Sequence, residues 1–294
     1  MVSVSPNYII QFKEALHMEA SQTQSRLSKY AKIIPITGEK AAYDGLGTVE
    51  ASEVTGQYQA IKFANIEHLR RRIIGKQYII VLPVDEKDVV QKLTDPSGDY
   101  AKRAMEGMKR RMDKIIYDAA LASVYTGKDM DTVVTAANDG VTTVNATSGL
   151  TKEKLDEINE NYIDNEISVE EGQKTSLSIS GEEHTDLMSE VEFLSIDYND
   201  AKPIVDGRIK RASGMEIELF GANSSLPILS TASSVRDCLS MASDGVVMGL
   251  WKDMDVKVQE RADLVTTHQI VVTMYIGATR TEGARIQKVQ TTVT

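Results

Sequence analysis

The chain of 294 residues has one cysteine, Cys238. No intrachain disulfide can form, no cysteine-based zinc site has its ligands, and Cys238 reads as a small buried apolar residue. Aromatic residues make up 5% with a single tryptophan, too few for a platform on which single-stranded bases stack. Long hydrophobic runs are missing too. The longest, "YIIVLPV" (Tyr78 to Val84), is broken by Pro83 and falls far short of the ~20 residues a spanning helix needs, so no membrane association is expected. The first residues, "MVSVSPNYIIQFKE", carry neither a basic leader nor an adequate apolar core, so no secretory signal is expected.

Motifs of chemistry are absent as well. There is no Gly-x-Ser-x-Gly elbow, no Gly-x-Gly-x-x-Gly and no phosphate loop; "IIGKQ" (Ile73 to Gln77) shares only a Gly-Lys pair with the last. His17, His68, His184 and His268 are scattered, and the one His-carboxylate cluster, "GEEHTDL" (Gly181 to Leu187), has the composition of a polar loop. Asp85 and Asp88 share a helical spacing that helix-start electrostatics explains. No catalytic, cofactor-binding or metal-binding residue is predicted, and no cofactor. Positive charge is in deficit: 33 Lys and Arg against 43 Asp and Glu give a net charge of -10, so any contact with phosphate backbones has to be local.

What is present begins with "NIEHLRRRIIGKQYIIVLPVDEKDVV" (Asn65 to Val90), where Arg70, Arg71, Arg72 and Lys76 stand beside a β-branched run. A nucleic-acid groove, an active site and a clamp between subunits are the three readings of a cationic strand on an acidic chain. Side chains alternate along a strand, so Arg70 and Arg72 share one face and Arg71 takes the other.

The flanking pattern is mixed α and β. Ser5 and Pro6 open a helix followed by a Ser/Gln-rich polar stretch, which suggests an arm. From Gly45 to Val84 strand signals predict a long hairpin, and such a ribbon persists only by lying on something else. Asp95, Pro96 and Ser97 start a long amphipathic helix with Tyr100, Ala104, Met108, Met112, Ile115, Ile116, Ala119 and Ala120 inward, stopped by Thr126 and Gly127. Lys102, Arg103, Lys109, Arg110, Arg111, Lys114, Glu106, Asp113 and Asp118 make its solvated face. Asn138 to Gly140 reads as a hairpin turn, and Thr151 opens a second helix through Leu155, Ile158, Tyr162 and Ile163. Near the end Ile270, Val272, Met274 and Ile276 alternate as a strand. No repeat or low-complexity tract interrupts this order.

The order of an Arg-bearing strand (Arg70 to Arg72), an Asp-x-x-Asp (Asp85, Asp88), a long helix with Arg110, Arg111 and Asp113, and a late Gly-Ala-x-Arg (Gly277, Ala278, Arg280) resembles the major capsid proteins of tailed bacteriophages. "FLSIDYNDAKPIVDGRIKRASGMEIELFG" (Phe193 to Gly221) is similar to their bracketed turn. The resemblance implies an α+β, Hong Kong 97-like capsid fold: an N-terminal arm (1–46), an extended β loop (47–82), a peripheral domain with a spine helix (83–149), an axial domain (150–247) and a C-terminal return to the peripheral domain (248–294). It implies a major capsid protein that self-assembles into the icosahedral shell around a double-stranded DNA genome. The partners would be copies of itself in pentamers and hexamers, a portal, and scaffolding or decoration proteins; the shell would form in the host cytoplasm and reside in the virion. Arg70, Arg71, Arg72 and Lys76 would then be intersubunit contacts, against the alternative of charges that merely protect an exposed β edge. An encapsulin-like compartment of the same fold and a soluble α+β enzyme are the competing readings.

Overall fold

The computed structural model describes residues 22–38, 41–51, 53, 63–64, 66, 68–85, 97–145, 148–167, 173–190, 208–261 and 267–293. The helix start expected at Ser5 and Pro6, Asp88, the pair Asp95 and Pro96, and the stretch from Phe193 to Gly207 lie outside these residues. In chain order the described strands and helices are β1 (Lys32–Pro35), β2 (Ala41–Leu46), β3 (His68–Ile73), β4 (Lys76–Asp85), α1 (Ser97–Leu121), β5 (Val124–Thr126), β6 (Thr132–Val134), β7 (Thr142–Val144), α2 (Lys152–Asp164), β8 (Thr175–Ile179), α3 (Gly181–Ser189), β9 (Arg211–Ala212), β10 (Met215–Leu219), β11 (Ser230–Ala232), β12 (Val235–Ala242), β13 (Val246–Arg261), β14 (Thr267–Arg280) and β15 (Ile286–Thr292).

The long helix α1 forms where its apolar spacing predicts, and it lies on a four-stranded sheet of order β1-β13-β14-β4. The alternation of β14 sets this packing: Ile270, Val272, Met274 and Ile276 are buried, meeting Ala104, Met108, Met112, Ile116 and Ala120 of the helix in one core. Burying side chains of this size contributes about 1.5–3 kcal/mol each. Ile115 and Ala119 sit at the edge of this contact, half-buried. The helix ends at Leu121 rather than near Thr126, because Val124 to Thr126, β-branched and aromatic, pair as β5 with β6 and β3.

The second body is a sheet of order β7-β15-β12-β8-β10-β9, with β11 added to β12. Its central strand β8 is buried at all five positions. Helix α2 covers it with Leu155, Ile158 and Tyr162, whereas Ile163, expected inward, is exposed. Helix α3 starts at "GEEHTDL" with a capping box on Ser180 and Glu183. The expected polar loop is thus a helix, and Glu183 is a buried partner of Arg236 at 2.7 Å. Strand β15 joins this sheet, paired along β12, so the last segment does not all return to α1.

Part of the expected arm is docked on the body. Leu27, Tyr30 and Ala31 are buried, and β1 pairs in parallel with β13. The reason is Asp113, expected on the solvated face of α1 but fully buried. Its carboxylate accepts hydrogen bonds from Ser25 Oγ (2.5 Å), from the Arg26 and Leu27 backbone N–H groups (3.1 Å each) and from Gln22. Burial raises its pKa against the pull of those bonds. Cys238 is buried in the core as read, and burial pushes its thiol up.

Candidate assembly site at the root of the β ribbon

The third sheet, β2-β3-β5-β6, carries the cationic cluster. Strands β2 and β3 form an antiparallel hairpin from Ala41↔Ile73 to Leu46↔His68, and β3 docks on β5 at Arg71↔Thr126. The expected hairpin therefore exists, but it returns at Ile73. After the turn at Ile74 and Gly75 the run continues as β4 in the sheet under α1, paired with β14. Gly277 permits this turn, since a Cβ there would fall 2.0 Å from the Ile74 carbonyl oxygen.

Strand alternation divides the arginines as predicted. Arg71 points inward and is 4% exposed. Its Nη2 donates to Asp139 Oδ1 at 2.5 Å, while Asp139 Oδ2 accepts from Arg280 Nε at 2.7 Å. Arg280, without any exposed surface, also donates through Nη1 to the carbonyl oxygens of Ala120 (2.7 Å) and Ala122 (2.9 Å). One carboxylate thus bridges two buried guanidiniums, and the negative end of the α1 dipole supplies the balance. Burial pulls Arg280 below its ordinary pKa, opposed by Asp139, and it remains a cation. This joint locks together the ribbon root, the turn carrying Asp139, the end of α1 and the end of β14. Gly283 lets the last of these approach, as a Cβ there would lie 2.0 Å from the Asp139 carbonyl oxygen.

Asp139 explains why Asn138 to Gly140 is not a hairpin turn. The segment forms a 3-10 turn (Ala137–Asp139) that aims the carboxylate inward, and the following β7 leaves for the other sheet to pair with β15. Arg71 is therefore held by Asp139 of its own chain with 4% of its surface exposed, whereas Arg70, Arg72 and Lys76 are more open.

Arg70 and Arg72 take the other face. Arg70 grips Asp44 directly across the hairpin, Nε to Oδ1 at 2.7 Å and Nη2 to Oδ2 at 3.0 Å, and this hydrogen-bonded guanidinium holds the Asp44 carboxyl below its usual range. The pair is open to water, where such bridges contribute little to folding. Arg72 stacks over the Tyr125 ring at 4.3 Å with the Asp131 carboxylate 3.9 Å away. Lys76, exposed on β4, lines with Arg72, exposed Ile74 and Tyr78 an open cleft of about 300 Å³ beside α1. The limbs of the ribbon beyond this root expose Leu46, Val49, Phe63 and Ile66, with Phe63 96% exposed.

The model of a family described as phage capsid protein matches residues 4–293. The chain belongs to the phage capsid protein family. Three solved phage structures share the fold of this capsid protein. The cyanophage Pam1 capsid subunit aligns over 100% of this chain and 99% of its own at 12% identity and a TM-score of 0.70. The capsid of cyanophage P-SCSP1u aligns over 95% and 91%, also at 12% and 0.70. The Mycobacterium phage Che8 structure aligns over 97% and 98%, at 13% and 0.68. No protein of curated function matches the chain. The α+β, Hong Kong 97-like fold is thus the capsid protein's fold, and its role is that of a major capsid protein of a tailed phage, a structural protein of the virion. The encapsulin-like alternative is not favoured.

Among the described residues of this capsid protein, no group of His, Cys, Asp and Glu is placed to hold a metal, and no helix is long and apolar enough to cross a membrane. His184 serves structure: its Nε2 accepts the Ile209 backbone N–H at 3.1 Å, and burial lowers its pKa. Reasoning from sequence missed Asp139 and Asp113 as anchors. The Gly-Ala-x-Arg motif was the available signal for Arg280, though it named no partner.

Proposed function

We propose that this chain is the repeating subunit of a closed icosahedral shell, set in pentamers and hexamers, that encloses a double-stranded DNA genome without reading its sequence. Assembly takes place in the host cytoplasm, a portal occupies one opening, and scaffolding or decoration proteins complete the particle. In this reading α1 with β4, β13 and β14 is the peripheral domain, the seven-stranded sheet is the axial domain, and the chain performs no catalysis.

The observation that supports this most is the rigidly rooted ribbon with uncovered apolar side chains. The Arg71–Asp139–Arg280 joint fixes where the ribbon leaves the body, while Phe63 at 96% exposure and Leu46 at 69% lie beyond it. Apolar surface presented this way marks a surface made for protein contact. Arg72 and Lys76 line the cleft beside the root, and with Arg70 they are the cations of the original four that are left to face a neighbour. The net charge of -10 supplies acids on every copy for them to meet.

Two measurements test this. Native particles treated with nuclease and then opened should release protected double-stranded DNA; particles holding only protein cargo would defeat the genome-container reading. Arg72→Glu with Lys76→Glu should lower subunit stability by no more than the ~0.5–1 kcal/mol of the Tyr125 stack and reduce sedimenting particles, more severely at low salt. Particle yield equal to wild type at every ionic strength would leave those two residues as solubilising charges.

A further inference from the structure

A groove of about 1110 Å³ lies between α1 and the segment from Phe220 to Ile228. Arg26, Arg103, Arg110 and Arg236 line it against one carboxylate, Glu182, so a chain with an excess of ten acids inverts its charge here. Two of the arginines are engaged. Arg236 pairs with Glu183 at 2.7 Å and Glu182 at 3.5 Å, and Arg103 pairs with Glu106 at 3.1 Å. The other two meet no carboxylate among the described residues. Arg26 stacks 5.4 Å from the Phe220 ring, while Nη1 of Arg110 reaches only the Ser225 hydroxyl at 3.4 Å. The Arg110 Nε is buried with no acceptor among the described residues. A buried donor left unpaired costs free energy, and one on a residue that lines a groove points to a ligand that accepts.

The fold itself brings these two cations to one place. Buried Asp113 accepts the Arg26 backbone N–H at 3.1 Å, and Arg110 precedes Asp113 by three residues, one turn along the same face of α1. The contact that docks residues 22–27 thus sets Arg26 on the side of α1 that carries Arg110, although like charges repel. Ser180, Gly181 and Glu182 add the positive end of the α3 dipole to the same groove. A cleft dominated by one sign of charge focuses its field on ligands of the other. Guanidinium forks match phosphate oxygens in pairs, and a groove of this volume holds more than a single phosphate. We propose that the groove binds phosphate groups strung on one chain, with Arg26 and Arg110 as the primary contacts. It supplies the local contact that the chain's net charge demands of any phosphate binding. The site lies within a single subunit, so the inference goes beyond the shell-forming reading. Two sources carry this chemistry, the backbone of duplex DNA and free oligophosphate.

The test uses unassembled subunits and two probes, a labelled duplex oligonucleotide followed by fluorescence anisotropy and tripolyphosphate followed by titration calorimetry. Duplex binding should fall in the range of about 10⁻⁶–10⁻⁴ M near physiological salt. Arg26→Gln with Arg110→Gln should weaken it by roughly tenfold or more and reduce the slope of log K against log salt by about two, one per arginine. Lys102→Gln with Lys257→Gln removes the same charge from side chains 68% and 58% exposed outside the groove, and should leave affinity within about twofold. Arginine-directed dicarbonyl labelling of wild type, read by peptide mass, depends on no variant's folding: the probe that binds should protect Arg26 and Arg110. Duplex binding alone assigns the site to DNA, tripolyphosphate alone to free oligophosphate, and both to the shared phosphate chemistry; each supports the proposal. No binding of either probe at about 50 mM salt, equal losses in the two variant pairs, or unchanged labelling of Arg26 and Arg110 would overturn it. Wild-type shells that form while neither probe binds would leave the shell-forming reading intact and strike this inference alone.

Discussion

Replacing Asp139 with alanine isolates the joint at the ribbon root. The carboxylate holds Arg71 at 2.5 Å and Arg280 at 2.7 Å, and neither arginine has water to turn to, at 4% and 0% exposure. Removing one partner from a buried ion pair costs about 3–5 kcal/mol, because the charge left behind stays uncompensated. Arg280 keeps the Ala120 and Ala122 carbonyls, whereas Arg71 loses its one acid among the described residues, so about 4 kcal/mol is the expected loss. Unfolding entropy near 2.1 cal/mol/K per residue gives about 0.6 kcal/mol/K for this chain, and the melting temperature should fall by roughly 6 °C. Thermal unfolding of unassembled subunits followed by circular dichroism measures this. Limited proteolysis should show faster cleavage in residues 47–67 of the variant, since the ribbon has lost its root. The control is Asp44→Ala, which removes the partner of Arg70 in an exposed pair and should not shift the melting curve. If Asp139→Ala melts with wild type, or if Asp44→Ala lowers the transition as much, the claim that buried charge fixes the ribbon is refuted.

Other outcomes follow from the same structure. Met108→Ala in α1, 1% exposed against the β14 face, should cost about 2–5 kcal/mol in a denaturant titration. Glu183 lies below its usual pKa: burial raises it, but hydrogen bonds from Ser180 and Thr291 and the Arg236 charge outweigh that. Its stabilising contribution is present above the unfolded value of about 4.3 and is lost as pH falls through the lower folded value, so Glu183→Gln should flatten the acid limb of a stability-against-pH curve. An acid limb identical to wild type would remove Glu183 from that account. Gly277→Ala should impair folding, because its Cβ would strike the Ile74 carbonyl; normal yield of soluble protein would show that the β3–β4 turn can shift.

How much of this was legible depended on the range of each interaction. Helix α1 and strand β14 were readable because periods of 3.6 and 2 are written in consecutive residues: Met108, Met112 and Ile116 on one, Ile270, Val272 and Met274 on the other. The same local rule separated Arg71 from Arg70 and Arg72 before any partner was known. It could not supply the partner. Asp139 and Arg280 are 141 positions apart, and Asp113 meets Ser25 across 88, so no local pattern in either segment named the partner. The ribbon's return at Ile73 was hidden as well, since the β-branched run continues past Gly75 into β4 and only the pairing with β14 divides it.

The most direct test of the central claim is the mass and shape of the assembled chain, measured by analytical sedimentation and electron microscopy of purified protein. The account predicts closed shells of uniform size built from five- and six-fold clusters of subunits. A single small oligomer of fixed stoichiometry at every concentration and ionic strength tried would contradict it.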